Sequence, residues 1–130
     1  MLGGAKLGGN DFPGGLERCY LNAMNKFTIA DLEQRVQLRA EASADISYTR
    51  RLLDKGVAQC AKKFGEEAVE AALAAVGEDR EHLIAESADV LYHLLVMLRA
   101  RGIALAEVEA LLETRTKKSG LEEKASRPPE

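Results

Sequence analysis

Proline is absent between residues 16 and 127, and only five of the 11 glycines lie in that stretch. A β-protein of this size needs turn residues about every 8–12 residues. The scarcity of helix breakers therefore favours a single all-α domain. The other glycines lie in the first 15 residues, and two of the three prolines are Pro128 and Pro129. We predict an N-terminal extension over residues 1–23, a helical domain over 24–118 and a C-terminal tail over 119–130.

Several other residue classes are too scarce to support common functions. Tryptophan is absent and aromatics make up 5% of the chain, which argues against stacking surfaces for single-stranded nucleic acid. The net charge of −3 is too small to indicate a polyanionic partner. The longest apolar run, residues 90–98, contains His93 and is too short to span a membrane. We expect a protein that binds neither nucleic acid nor membrane.

The two cysteines, Cys19 and Cys60, do not form the framework of a disulfide-rich domain. Cys60 falls within a helical pattern and is predicted to be a small buried side chain. The N-terminus has no continuous apolar segment typical of a signal peptide. These features favour a cytoplasmic protein.

Apolar residues at spacings of three and four predict the helices. Thr28 is placed to cap the first helix, with Asp31 in the capping-box position, and that helix ends near Ala42. Ser47 caps a short helical segment that Gly56 ends. Further helices are expected over about 57–76, about 79–101, and from soon after Gly102 to near Lys118. The fold class is thus a short four-helix bundle.

The helix over 57–76 carries a cluster of carboxylates. Glu66, Glu67 and Glu70 lie at spacings of three and four and so crowd one sector of the helix. Like charges at these spacings destabilise a helix unless a positive group lies between them. Taken alone, this pattern is typical of a solvated acidic face balanced by Lys62 and Lys63.

The following helix changes that interpretation. Glu86 and Asp89 lie at i,i+3 among apolar residues, within a polar stripe that His82 and His93 extend. Fifteen residues separate Glu70 from Glu86, enough for a turn at Gly77 and an antiparallel helix. The two sets of carboxylates then face each other, and their burial would be costly without a compensating charge.

Converging carboxylates without cysteine indicate a hard cation, Mg²⁺ or Mn²⁺ rather than zinc. Mg²⁺ keeps part of its water shell and is commonly coordinated by substrate phosphates as well as by protein, so the pattern points to phosphoryl chemistry. A ferritin-like di-iron site is the competing carboxylate centre, but it requires Glu-x-x-His. That motif occurs nowhere in the chain.

These motifs resemble a known family. Glu66-Glu67-x-x-Glu70 followed by Glu86-x-x-Asp89 is similar to the metal motif of the MazG-like all-α nucleoside triphosphate pyrophosphatases. Within that superfamily the chain most resembles the phosphoribosyl-ATP pyrophosphohydrolases of histidine biosynthesis. The additional stretches that carry this resemblance are Ser47-Tyr48-Thr49, Lys63-x-Gly65-Glu66-Glu67-Ala68, Ala88-Asp89-x-x-Tyr92-His93, and residues 119–127.

The resemblance implies Mg²⁺-dependent hydrolysis of 1-(5-phosphoribosyl)-ATP to 1-(5-phosphoribosyl)-AMP and pyrophosphate. It implies that Glu67, Glu70, Glu86 and Asp89 are metal ligands and that Glu66, with Glu67, takes part in catalysis, as a further ligand or by positioning the attacking water. The nucleotide-binding candidates are Lys63, Lys62, Ser47, Tyr48 and Arg50. Lys62 and Lys63 serve equally well to balance Glu66 and Glu67, and Ser47 serves equally well as an N-cap.

Two other functions stay open from the sequence. One is a MazG-like house-cleaning pyrophosphatase that acts on non-standard nucleoside triphosphates. The other is a non-catalytic helical oligomer whose acidic stripe is solvated. In every case the helix over 79–101 has apolar residues on more than one side, so we expect a homo-oligomer, at least a dimer, that completes the bundle.

Overall fold

The computed structural model describes residues 27–117 and 120–129, and helices are the only regular structure in those ranges. The chain divides into two compact units, residues 1–32 and 33–130, and everything discussed below as a site lies in the second. The all-α prediction is confirmed. The helices are α1 (Ile29–Glu41), α2 (Tyr48–Asp54), α3 (Val57–Val76), α4 (Arg80–Ala100), α5 (Leu105–Thr116) and α6 (Gly120–Ala125).

Helices α3 and α4 form an antiparallel hairpin that is the most extensive helix–helix contact in the described residues. The turn between them uses Gly77 as the C-cap of α3 and Asp79 as the N-cap of α4. Asp79 Oδ1 accepts a hydrogen bond from His82 N at 3.0 Å, which satisfies a free donor of the first turn. The predicted hairpin is present, with bounds within a residue of those expected.

The start of α1 follows the predicted capping box. Thr28 N donates to Asp31 Oδ2 at 2.8 Å, and Asp31 N donates to Thr28 Oγ1 at 3.3 Å. The helix ends at Glu41, next to the predicted end at Ala42. Local sequence alone therefore sets this helix terminus.

Ser47 joins α1 to α2. Its hydroxyl donates to the Arg39 carbonyl at 2.7 Å and accepts from Arg50 N at 3.1 Å, so it caps α2 as predicted. The expected end of this segment is confirmed, because Lys55 is the C-cap of α2 and Gly56 follows it directly. Helix α2 stops at Asp54, and Gly56 is the N-cap of α3, where its φ of +95° favours glycine.

The buried apolar core is small for a domain of this length. Its members in the described residues are Val36, Ala40, Leu52, Cys60, Ala74, Leu95, Val96 and Leu105. By contrast, three apolar residues along α3, Val69, Leu73 and Val76, are 60%, 66% and 81% exposed. Cys60 is buried as predicted, and its thiol donates to the Leu52 carbonyl at 3.4 Å. Within residues 27–117 and 120–129, this apolar face of α3 is therefore uncovered.

Part of the predicted domain organisation lies outside the described residues. This holds for the extension over residues 1–23 and for positions 118, 119 and 130. The stretch predicted as a tail contains the short helix α6. Within the described ranges, no helix combines the length and the apolar character needed to cross a bilayer.

Candidate metal centre

Three carboxylates meet where α3 and α4 face each other. Glu67 and Glu70 come from α3 and Glu86 comes from α4, and one oxygen of each lies within 4.8 Å of the other two. The spacing along α3 puts the first two on one side of that helix, and the hairpin turn sets the register that brings Glu86 opposite them. Three oxygens at these separations can bind one divalent cation.

The electrostatics of the cluster reflect its crowded negative charge. The pKa of Glu70 is raised above its ordinary value, chiefly by the charge of Glu67 and then by that of Glu86. Glu70 is exposed, so desolvation contributes less than these neighbours. A bound cation would remove this repulsion, which is the physical reason for such clusters at metal sites.

The two carboxylate oxygens of Glu86 have different surroundings. His82 Nε2 lies 3.1 Å from Glu86 Oε1, while Glu86 Oε2 is buried and has no hydrogen-bond partner among the described residues. Buried carboxylate oxygens are nearly always satisfied, so an unpaired one in an all-oxygen cluster fits a hard cation such as Mg²⁺ or Mn²⁺. His82 is placed to orient the ligating carboxylate.

Lys63 lies on the N-terminal side of the cluster. Its ammonium is 3.4 Å from Glu67 Oε1 and 3.5 Å from Glu66 Oε1. Partial burial acts to lower the pKa of Lys63, but its hydrogen bond to Glu67 and its charged neighbours outweigh burial and raise that pKa. The side chain is therefore a fixed positive charge beside the carboxylates.

His93 lies in a group of aromatic side chains. His93 is 6% exposed and makes edge contacts with Tyr92, at 4.9 Å between ring centroids, and with Tyr48, at 6.5 Å. Burial lowers the pKa of His93, against the opposing charge of Glu67. Its Nδ1 has no hydrogen-bond partner in the described residues. His93 is thus a buried residue of α4 with one ring nitrogen without a partner in that part of the chain.

Comparison with known proteins identifies this arrangement. The family model described as phosphoribosyl-ATP pyrophosphohydrolase matches residues 29–116, which include the whole carboxylate cluster. The chain belongs to the phosphoribosyl-ATP pyrophosphohydrolase family. It is 65% identical over 104 residues to phosphoribosyl-ATP pyrophosphatase 1 of Bradyrhizobium diazoefficiens, covering 80% of this chain and 98% of that protein.

Other members of the family are similarly close. Phosphoribosyl-ATP pyrophosphatase 1 of Rhodopseudomonas palustris is 61% identical over 104 residues, covering 80% of this chain and 97% of that protein. The phosphoribosyl-ATP pyrophosphatase of Nitrobacter winogradskyi is 57% identical over 111 residues, covering 85% of this chain and 96% of that protein. The family resemblance inferred from the acidic motifs is therefore confirmed.

Three of the four metal ligands expected from this family resemblance come together. The fourth, Asp89, is exposed on α4 one turn beyond Glu86 and is not part of the group within 4.8 Å. Glu66 lies at the edge of the cluster, where its exposed carboxylate pairs with Lys63. The group of carboxylates that the structure brings within this distance is thus smaller than the sequence motif.

The candidate nucleotide-binding residues have different surroundings. Lys63 lies at the cluster. Tyr48, which is 53% exposed, is close enough to contribute to the raised pKa of Lys63. Lys62 is exposed. Arg50 instead pairs with Asp54 at 2.8 Å, and Ser47 is buried with its hydroxyl engaged as a cap. Both of these side chains serve the local structure of α2.

Gly65 and three further residues show what sequence reasoning missed. A Cβ built at Gly65 meets nothing within 4 Å among the described residues, so no close helix–helix contact there accounts for a glycine inside α3. The hydrogen bond at 2.5 Å between Thr49 Oγ1 and Tyr92 OH, 43 residues apart, had no sequence signal. The sequence also provides no reason to single out Arg39. Burial raises the pKa of Tyr92, and Arg39 is close enough to act against that rise.

Proposed function

We propose that Glu67, Glu70 and Glu86 hold the Mg²⁺ ion with which this chain hydrolyses phosphoribosyl-ATP to phosphoribosyl-AMP and pyrophosphate in histidine biosynthesis. The observation that carries the proposal is the meeting of three carboxylates, one of which, Glu86, has a buried Oε2 without a hydrogen-bond partner among the described residues. Family membership supports the substrate and the reaction. Mn²⁺ is expected to substitute for Mg²⁺, because both prefer oxygen ligands.

The residues around the cluster have different roles in binding and catalysis. When bound, the divalent ion neutralises phosphate charge and makes a coordinated water more acidic. Asp89 supplies a fourth carboxylate, because its i,i+3 spacing from Glu86 places it on the same side of α4. Glu66, at the edge of the cluster, orients the attacking water and accepts its proton, and Glu67 contributes to both binding and catalysis.

Lys63 binds the phosphate chain of the nucleotide. Its ammonium lies beside Glu67 and so is close to where a metal-bound phosphate would lie. A fixed positive charge there favours the negative charge that develops on the leaving pyrophosphate. Lys62, which is exposed at the preceding position of α3, adds to the positive potential near Lys63.

Substrate choice is tested by comparing pyrophosphate release from phosphoribosyl-ATP with release from a panel of deoxynucleoside triphosphates. A preference for phosphoribosyl-ATP in kcat/KM supports the proposal, whereas a preference for the deoxynucleotides would make the chain a MazG-like house-cleaning enzyme. Glu70→Gln and Asp89→Asn are expected to lower kcat by at least about 100-fold at saturating Mg²⁺. Glu113→Gln, an exposed change on α5, is the matched control.

Metal binding is tested without turnover. Because Mg²⁺ binds only the folded cluster, it is expected to raise the Tm of the wild-type protein in proportion to occupancy. Glu70→Gln and Glu86→Gln should abolish that increase, and Glu113→Gln should retain it. A non-catalytic oligomer with a solvated acidic stripe would show no specific Mg²⁺ effect in any of these proteins.

We also propose that the chain is a homo-oligomer, at least a dimer. The exposed stripe of Val69, Leu73 and Val76 follows spacings of four and three along one side of α3. Solvent exposure of such a stripe is unfavourable, and a second copy would bury it. Sedimentation velocity should show a dimer or larger species that Leu73→Asp dissociates, whereas Leu38→Asp, at an exposed leucine of α1, should not.

A further inference from the structure

A cavity lies beside Tyr48 and Tyr92. Its volume is about 550 Å³, which falls within the range of small-molecule sites. It lies between the last turn of α1, the start of α2 and one residue of α4. The lining includes Arg39, Ile46, Ser47, Tyr48, Thr49 and Tyr92.

Tyr48 connects this cavity to the carboxylate cluster. It lines the cavity, and its hydroxyl is near enough to Lys63 to interact with that ammonium. Lys63 in turn pairs with Glu67 at 3.4 Å. A ligand that has its phosphate chain at Lys63 would thus pass over Tyr48 and enter the cavity with its far end.

The polar groups of the cavity suit an anion rather than a cation. The Arg39 guanidinium is close enough to Tyr92 to interact with its phenol, and no carboxylate of residues 27–117 or 120–129 forms an ion pair with it. Tyr92 is held in place by its hydrogen bond to the buried Thr49 hydroxyl. Among the described residues, the cavity therefore presents the Arg39 guanidinium as a positive charge without an ion-pair partner.

We propose that this cavity binds the phosphoribosyl group of the substrate, with Arg39 as the counter-ion of its phosphate and Tyr48 beneath the adenine ring. The assignment rests on the function proposed above. The substrate has two phosphate-bearing ends, and the carboxylate cluster with its cation and Lys63 accounts for the triphosphate. The remaining phosphate requires a positive group without a competing carboxylate, which is what Arg39 provides.

The assignment also gives the enzyme a means to discriminate. An ordinary nucleoside triphosphate has no group to place at Arg39, so it forgoes a charge-assisted contact. Arg39 is therefore a specificity-determining residue that acts at a distance from the bond being broken. Its loss should weaken binding of the phosphorylated sugar far more than binding of pyrophosphate.

The test uses the full-length protein and two small probes. Ribose 5-phosphate is titrated in the absence of metal, and pyrophosphate is titrated with Mg²⁺, each followed by calorimetry. Arg39→Gln is expected to raise the Kd of ribose 5-phosphate about 10- to 100-fold and to leave the Kd of pyrophosphate within about twofold. Arg39→Lys should recover part of the loss, and Arg101→Gln, at the exposed C-cap of α4, should match the wild type.

Three results would overturn the assignment. These are no binding of ribose 5-phosphate to the wild type, equal binding of inorganic phosphate and ribose 5-phosphate, and an equal loss for both probes in Arg39→Gln. In kinetics, Arg39→Gln should raise KM for phosphoribosyl-ATP by a similar factor with little change in kcat. If the wild type binds ribose 5-phosphate through Arg39 but does not hydrolyse phosphoribosyl-ATP, the proposed function fails, the assignment to this substrate fails with it, and only a sugar-phosphate site at Arg39 stands.

Discussion

Glu33 Oε2 accepts a hydrogen bond at 2.6 Å from the backbone nitrogen of Leu105, 72 residues further along the chain. This contact ties α1 to the first residue of α5. Helix α5 follows Ala104, which has no side-chain acceptor, and the Ser or Asp expected at this position is absent. Glu107 satisfies the Ala104 nitrogen at 2.9 Å, and Glu33 satisfies the next one. A residue distant in sequence thus completes the cap.

We expect Glu33→Ala to destabilise the protein. Loss of a helix-capping acceptor costs about 1 kcal/mol, and the Leu105 nitrogen would be left unsatisfied in a buried position. The free energy of unfolding, measured in urea, should fall by about that amount. Gln34→Ala, at the neighbouring exposed position of α1, is the control and should have little effect. Equal stabilities of the two variants would show that the contact contributes nothing.

The hydrogen bond between Thr49 and Tyr92 is expected to couple α2 to α4. Tyr92→Phe leaves the Thr49 hydroxyl buried and unpaired, at a cost of about 1–3 kcal/mol. Thr49→Val removes the other partner, and the double variant should show a coupling of about 0.5–1.5 kcal/mol. Tyr48→Phe, at an exposed ring, is the control. Strict additivity of the two single changes would contradict the coupling.

The repulsion at Glu70 predicts a pH-dependent stability without metal. The native-state pKa of Glu70 is above its ordinary value of 4.5, so the folded chain binds more protons than the unfolded chain as pH rises through this range. The associated stability is present below pH 4.5 and is lost as pH rises through the raised pKa. Glu70→Gln should therefore have the higher Tm at pH 7 in EDTA, with the difference disappearing in acid. A lower Tm for the variant at pH 7 would contradict this.

The lowered pKa of His93 predicts a change of stability with pH in the opposite direction. Burial holds its native pKa below the ordinary value of 6.5, with Lys63 acting in the same direction and Glu66, Glu67 and Asp89 acting against it. The folded state then carries fewer protons, so stability is complete above pH 6.5 and falls as pH drops through the window below it. His93→Gln should flatten this part of the curve of Tm against pH. His82→Gln, at an exposed ring, provides the comparison.

Local chemistry made much of the fold predictable. The Thr28–Asp31 capping box, the Ser47 cap and the Gly77 turn each act within a few residues, and all lie where the sequence places them. The facing of Glu70 and Glu86 was also predictable, because a hairpin of two long helices leaves little freedom in register. Contacts over longer separations were not predictable, since no periodicity encodes which side chains meet.

The sequence by itself determined that the chain is helical, where α3 and α4 begin and end, and which acidic motifs it carries, because propensity and capping act locally. Only the tertiary structure decided which of the facing carboxylates lie close enough to bind one cation. It placed an oxygen of Glu86 within 4.8 Å of Glu67 and Glu70, left Asp89 outside that group, and made Arg39 part of a cavity that Tyr48 and Tyr92 also line. Those outcomes depend on the packing of whole helices, in which each side chain is placed by partners tens of residues away.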